Sequence, residues 1–593
     1  RQQLGYNPAQ SACAADTVGN AVQDRKRAVN AGSLVASICS HGIFHLRNFR
    51  HTGLSHTIVF LCHSLVGACF VPHLQKKYMR IKSFLVLFLC CCSLHVVAQQ
   101  DIRAPKIYLN ITVDQLRTDF LYEFAPMYCD GGFMRLLSGG RVYPNSYFEF
   151  ENIDRASAIA ALSTGTNPYV NGIVGERWLD RKTLRTVSCV EDKQYQGVYA
   201  IAPFAPTKLK AITLTDEMKR ASRGKAMICS IAPDEDAAII SGGHAADAVV
   251  WKNNSAGYWC SSTYYGLYPA WAAESNKKIQ GKPVKWVPLL KPEEYNNFGE
   301  AIPVPFSYSY DGKNKIYEYK TTACINDEVN ELALAFLNGT EAGADDIVDC
   351  LSVTYYAGNY NGAPMEERPL EIQDMYVRLD RNIALLLDEL DKKVGLDNVV
   401  VSLASTGYVM EGSEDGAKYR LPSGTIYMDR VQALMNVYLS SIFGKADFVE
   451  GVHGAQLYLD TKLIENMKLD KKEVVSRSIE FLKMLDGVED VFTIYNLGGM
   501  LSPELQYAKN GYNANCSGDI WLRLMPGWKI AEEKLTAVDE VYRTPVMFPI
   551  IIYGKGVEHK VVEELTPANV LAAEMARILR TRRPNDNCLR IFR

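Results

Sequence analysis

Histidine is scarce in this chain. Ten occur among 593 residues, and after residue 98 only His244, His453 and His559 remain. A two-zinc hydrolytic centre needs about four N, O or S ligands per ion, so three scattered histidines speak against zinc, while an oxygen-only Mg²⁺, Ca²⁺ or Mn²⁺ site stays compatible. A charge excess is also missing. With 64 basic and 67 acidic side chains the net charge is -3, which gives no electrostatic footing for nucleic acid or an anionic membrane surface. After residue 98 there is no apolar run of the roughly 20 residues that a membrane-spanning helix requires. Repeats, low-complexity tracts and long linkers are absent too, and this favours one elaborated domain over several. What is present is apolar mass: 48% hydrophobic residues can fill a large core.

Residues 1–78 are a patternless mix of Ser, His, Cys and small residues, expected to be non-native or disordered upstream sequence. Met79 opens a basic stretch (Arg80, Lys82), an apolar run over 84–92 and the small-residue end Val96-Val97-Ala98. This is the order of a secretory signal peptide cleaved after Ala98. Cys90 follows Leu-Phe-Leu, which lacks the small residue of lipoprotein processing. Eight cysteines follow: Cys129, Cys189, Cys229, Cys260, Cys324, Cys350, Cys516 and Cys588. An exported chain permits disulfides among them, no pairing follows from spacing, and some are expected to be plain buried thiols.

Residues 106–114 (KIYLNITVD) form a β-rich run ending in a carboxylate, and 151–165 carry an Ala-rich helical stretch ending in turn residues. The runs at 346–357, 398–405 and 547–553 have the continuous apolar character of buried parallel strands. Between the first two, Ile372, Met375, Leu379, Ile383, Leu386 and Leu390 recur at helical spacing, with Asp374, Arg378 and Asp380 expected on other faces. The alternation predicts an α/β fold, a mostly parallel central sheet with helices on both faces. Two inserted subdomains interrupt it, at about 251–323, rich in Trp and Tyr, and at about 419–495.

Several blocks carry a resemblance: ITVDQLRTDFL (111–121), TGTNPYVNGIVGERW (164–178), GGHAADAVVW (242–251), DMYVRLDR (374–381), SGDIWLRLMPGW (517–528) and FPIIIYG (548–554). In order and spacing the chain resembles the alkaline phosphatase superfamily, in particular secreted bacterial monoesterases and the type I phosphodiesterase/nucleotide pyrophosphatase branch. The resemblance implies a Thr or Ser nucleophile at a helix N-terminus and two Zn²⁺ held by Asp and His at strand ends. Of the six metal-ligand positions it implies, only Asp114 is kept. The nucleophile position falls on Arg155, which has no lone pair for attack, and Ser157 is the nearest hydroxyl. Glu176 stands at a phosphate-binding Asn position. The Asp-x-x-x-His pair reads Asn359 and Ala363, and the Asp-His pair reads Ser405 and Thr406. No His lies between His453 and His559, where the last ligand belongs. A phosphate-binding Lys and Arg are replaced by the acidic block Asp234, Glu235 and Asp236.

Each of these residues has a plain alternative. Asp114 is a former ligand pairing with Arg155 or a strand-end cap; Arg155 is that counterion or a solvated helix start; Ser157 substitutes for the nucleophile or packs a helix. The acidic block reads as a solvated loop, with Ca²⁺ or Mg²⁺ binding as the alternative, and His244 reads as a hydrogen-bonded structural residue. The aromatics at 251–286 read as lid core, against a glycan platform. The reading that follows is an exported, periplasmic or outer-envelope bacterial pseudoenzyme with a binding or assembly role. Its expected partner is an unknown envelope protein or glycan, with no nucleic acid and no cofactor. The alternatives are a metal-dependent phosphatase, phosphodiesterase or sulfatase-like hydrolase, with zinc as cofactor, and a glycan-binding or scaffold protein.

Overall fold

In the computed structural model the strand-forming run that ends at Asp114 lies in the middle of an 11-stranded sheet. Residues 104–279, 284–296, 304–310, 315–360, 369–410, 422–497, 502–531 and 543–586 are described. The leader, residues 1–98, the missing-His region at 532–542, Ala363 and Cys588 lie outside the described residues.

The main strands are β1 (Ile107–Asp114), β2 (Arg141–Tyr147), β3 (Ile228–Ala232), β4 (Ala248–Lys252), β5 (Trp259–Ser262), β6 (Asp349–Tyr356), β7 (Val399–Ser405) and β8 (Phe548–Gly554), adjacent in the order β2-β8-β7-β1-β6-β3-β4-β5. The five central strands, β7, β1, β6, β3 and β4, pair in parallel. β8 does not: it runs antiparallel to both β7 and β2, against the parallel strand its apolar run predicts. Burial on both faces produces the same continuous apolar run whichever way a strand points, so direction was not in the pattern.

The helices that matter here are α1 (Arg155–Thr164), α2 (Leu214–Ala221), α3 (Glu235–Gly242), α4 (Ala323–Gly339), α5 (Leu370–Val394), α6 (Met428–Phe443) and α7 (Lys471–Leu482). Alternation along β1 sends Leu109, Ile111 and Val113 to one face, against α4 and α5. Tyr108 faces the other way, toward α1 and α2. The six apolar positions of α5, from Ile372 to Leu390, are all fully buried. At roughly 1.5–3 kcal/mol each, they contribute on the order of 10 kcal/mol to docking that helix.

Asp374 and Asp380 depart from expectation, because both are fully buried. Asp374 accepts hydrogen bonds from Trp286 Nε1 (2.6 Å), the Leu289 amide (2.7 Å), the Tyr295 hydroxyl (2.7 Å) and Arg378 Nε (2.8 Å). Asp380 receives the amides of Cys129 and Phe133. A carboxylate with that many donors can stay buried, which helical periodicity cannot foresee.

The first insert is woven into the core. Trp251 belongs to β4 and Trp259 to β5, and Trp259, Trp286, Tyr295, Tyr310 and Tyr319 join the cluster under α4 and α5. Trp251, Trp259 and Trp286 are buried and present no stacking face, but the first two sit on strands of the central sheet, so the start of the expected lid is part of the main core. The second insert is a module with its own four-stranded sheet and its own core. It extends past the expected end at 495, because the strand Ile520–Leu524 completes that sheet between Gln456–Leu459 and Val488–Thr493. The seven described cysteines are free thiols. No described helix is long and apolar enough to cross a membrane.

Candidate functional site

The crevice beyond the carboxyl ends of parallel strands is where open α/β sheets gather their chemistry. Here β1 ends in Asp114, β3 runs into Asp234, β6 into Asn359, and β7 into Thr406. The N-terminus of α1 faces them. Its cap is Asp154, whose Oδ1 accepts the Ser157 amide at 2.8 Å, while Ser157 Oγ accepts the Asp154 amide at 2.9 Å. This reciprocal capping satisfies two helix-end donors. It also removes Ser157 as a nucleophile candidate, since the side chain is fully buried and its hydroxyl serves the helix start. The other Asp154 oxygen accepts the Glu176 amide at 2.6 Å and so fixes the loop that follows.

Arg155 is the first residue of α1 and projects into the crevice. Its Nε and Nη2 bind Asp236 at 3.0–3.2 Å, its Nη1 lies 3.2 Å from Asp234, and Asp114 follows at 3.8 Å. The Asp114 pairing is therefore present but is the longest of the three. Asp234, Glu235 and Asp236 do not form a solvated loop. Asp236 is buried, the block starts α3, and Asp234 is held by Arg155 and by Lys320 Nζ at 2.7 Å. Those two cations already occupy the oxygens a Ca²⁺ or Mg²⁺ ion would need.

Asp114 Oδ1 accepts the Thr406 hydroxyl at 2.8 Å, and Thr406 Oγ1 in turn accepts the Gln115 amide at 2.9 Å. Gln115 sits at φ +62°, a conformation uncommon outside glycine. Ser405 is buried behind Thr406. Asn359 Nδ2 donates to the Met410 carbonyl at 3.1 Å, and the Asn359 carbonyl receives the Tyr356 hydroxyl at 2.8 Å. Glu176 lies 3.4 Å from Arg543 Nη2.

The ion-pair network thus joins three carboxylates, Asp114, Asp234 and Asp236, to two cations, Arg155 and Lys320, with Glu176 and Arg543 forming a separate pair. One retained proton brings the network to neutrality. Burial pushes Asp114 up to about 6 against the opposing pull of Arg155 and Thr406. Burial likewise raises Asp236, to about 7, and the neighbouring carboxylates add to it. Asp234 goes the other way, to about 2: burial would raise it, but Arg155 and Lys320 outweigh that. The carboxylates hold the guanidinium of Arg155 firmly charged despite its burial.

These residues do not fit a two-zinc centre. Asp114, the one ligand position that the resemblance keeps, has one oxygen on a hydroxyl and the other facing a guanidinium, and the other described positions it implies offer an amide and two hydroxyls. Among the described residues no group of three or more His, Cys, Asp or Glu is arranged to hold a metal ion. The crevice holds the Arg155 guanidinium at the start of α1, and the nearby hydroxyls of Ser157 and Thr406 are engaged in hydrogen bonds.

His244 lies apart, with Nδ1 2.8 Å from Asp216 and Nε2 3.0 Å from the Leu209 carbonyl. Sequence reasoning missed Asp154, Lys320 and Arg543 as members of the site. Asp154 had a signal, as an N-cap residue directly before an Ala-rich run. Lys320 and Arg543 reach the crevice from segments far along the chain and had none.

A family model described as type I phosphodiesterase / nucleotide pyrophosphatase matches residues 108–547. Alkaline phosphatase PafA of Elizabethkingia meningoseptica is 27% identical over 480 residues, covering 77% of this chain and 88% of that protein. A Myroides odoratus protein named calcium-transporting ATPase is 28% identical over 537 residues, 86% of this chain and 98% of that one. The crystal structure of wild-type PafA superposes with a TM-score of 0.70 at 24% identity, over 82% of this chain and 98% of that chain, and so shares the fold. With order, topology and family match in agreement, the chain belongs to the type I phosphodiesterase / nucleotide pyrophosphatase family of the alkaline phosphatase superfamily.

Proposed function

We propose that this family member is a catalytically silent, exported protein that works as a binding or assembly component of the bacterial envelope. The observation that carries the reading is Arg155. It stands at the first position of α1, where the family's nucleophile is expected, and its guanidinium is locked by Asp236, Asp234 and Asp114. A guanidinium has no lone pair to attack phosphorus and does not deprotonate. The carboxylates add to this, since Asp236, Asp234 and Asp114 already take up the guanidinium, so Arg155 has little charge left to offer a phosphate or sulfate ester. Changing one residue would not restore the chemistry, so Arg155→Thr alone is expected to remain inactive.

The test is to purify the chain from residue 99 onward, quantify bound zinc, and assay aryl phosphates, phosphodiesters and sulfate esters. The expected result is substoichiometric zinc and no turnover above background. Stoichiometric zinc together with turnover that Asp114→Ala abolishes would overturn the proposal in favour of a divergent hydrolase.

A further inference from the structure

A strand buried on both faces is expected to be apolar throughout, yet one face of β1 carries Tyr108, Asn110 and Thr112 in succession. Register extends the exception sideways. Asn110 lies opposite Ser402 on β7 and Ser352 on β6, and Ser352 lies opposite Ser230 on β3, so four adjacent strands set a row of polar side chains across the sheet. Much of the row satisfies itself. Tyr108 Oη and Ser402 Oγ are 2.8 Å apart, Ser402 Oγ donates to Asn110 Oδ1 at 3.0 Å, and Asn110 Nδ2 donates to Ser352 Oγ at 3.3 Å. That last bond uses one of the two hydrogens on Asn110 Nδ2. Ser241, near the end of α3, is different: it is 2% exposed, and its hydroxyl has no partner among the described residues. Ser241 and Asn110 line one pocket, with Tyr108 and Thr112 beside Asn110, Ser163 from α1 and Thr215 from α2. The helix α8 (Val570–Ile578) borders it with the apolar side chains of its first turn.

We infer that this pocket is a hydration site that holds one or two ordered waters, the inner one bridging Ser241 Oγ and Asn110 Nδ2. Three observations select water over other ligands. The first is size. The pocket leaves about 20 Å³ for the centres of water-sized molecules, and one water needs roughly 10–15 Å³ on that measure. The second is charge. No charged side chain lines the pocket, and the helix ends around it offset one another: α1 and α3 bring their C-terminal turns, with Ser163 and Ser241, while α2 and α8 bring their N-terminal turns, with Thr215 and Leu571. Opposed helix dipoles give an ion of either sign little to gain. The third is the number of partners. A buried water ordinarily makes about three hydrogen bonds, and Ser241, Asn110, Thr112 and Ser163 supply enough donors and acceptors for that. A buried hydroxyl without a partner costs free energy, and the bridging water removes that cost at Ser241 while it takes up the second hydrogen of Asn110. The polar row can then stay inside the sheet.

A crystal structure of the purified protein, at a resolution that shows ordered water, tests this. The expected result is a density peak about 2.7–3.1 Å from both Ser241 Oγ and Asn110 Nδ2, with no anomalous signal when rubidium replaces sodium in the crystals. Ser241→Ala should fold with the circular dichroism of the parent protein and lose that peak, because the bridge has lost one end. A pocket without density overturns the inference. So does an anomalous rubidium signal at the peak, which would make the ligand a monovalent cation, and so does density too large for water, which would make it an organic molecule. A peak that keeps its place and full occupancy in Ser241→Ala would overturn the bridge, since Ser241 would then contribute nothing to holding it. The parent structure alone decides between water, cation and dry pocket, so the test stands even if the variant fails to crystallise.

Discussion

Replacing Arg155 with Met removes the cation shared by Asp236, Asp234 and Asp114. Lys320 still neutralises Asp234, 2.7 Å away, so the loss falls on Asp236 and Asp114, whose side chains are only 5% and 4% exposed. Removing one partner of a buried ion pair costs about 3–5 kcal/mol. A second route bounds the figure. An orphaned buried carboxylate can do no worse than take up a proton, which costs about 1.4 kcal/mol for each pH unit above the value it already has in the parent protein, about 6 for Asp114 and about 7 for Asp236. Summed over the two, that is about 3 kcal/mol at pH 7.5 and close to nothing at pH 5, where both already hold their protons. The folded unit, Arg103–Arg593, has about 490 residues. At about 2.1 cal/mol/K per residue its melting entropy is near 1 kcal/mol/K, so the drop in Tm should be about 3 °C at pH 7.5 and under about 1 °C at pH 5. Differential scanning calorimetry of both proteins at the two pH values reads this directly, and Arg155→Met with Asp236→Asn should recover part of the loss. A Tm change that is the same at both pH values, or under 1 °C at pH 7.5, would refute the picture of Arg155 as the counterion of a closed cluster.

Further outcomes follow from the same structure. Asp114 and Asp236 are raised in the fold, so they bind protons more readily folded than unfolded, and between about pH 4 and pH 7 their contribution to stability should fall as pH rises; denaturant titrations across that window check the sign. Asp374→Ala leaves Arg378 and three other donors without their acceptor, should cost about 3–5 kcal/mol, and should red-shift the emission of Trp286, which now donates to it. Asp154→Ala removes the cap of α1 and the anchor of the Glu176 amide, for an expected loss of about 1–2 kcal/mol in urea unfolding. His244 is raised chiefly by its hydrogen bond to Asp216. Its pairing therefore stabilises fully below its unfolded pKa and fades as pH rises through the raised value, and His244→Gln should flatten the stability profile there.

The sequence carried the frame because the frame is made of periodicity. A strand buried on both faces, such as residues 107–114, or a helix with six apolar residues at three- and four-residue spacing, such as α5, writes its burial into local order. The blocks from Asp114 to Gly554 therefore lined up with a superfamily, and the positions that the resemblance assigns to a nucleophile and ligands, Arg155, Asn359, Ser405 and Thr406, could be named residue by residue. Other features depend on what arrives from elsewhere in the chain. Asp236 looks like surface acid until Arg155 is placed against it, Asp374 like a solvated helix face until Trp286, Leu289 and Tyr295 fold over it, and β8 like one more parallel strand until it pairs with β2. In each case the energy comes from a partner many residues away, and desolvation decides whether a charge is a solvated ornament or part of a closed network. Local sequence determined which elements form and which residues stand at the positions the resemblance marks; only the tertiary structure decided which charges are buried together, because Arg155 meets Asp114, Asp234 and Asp236 only when segments far apart in the chain close on it.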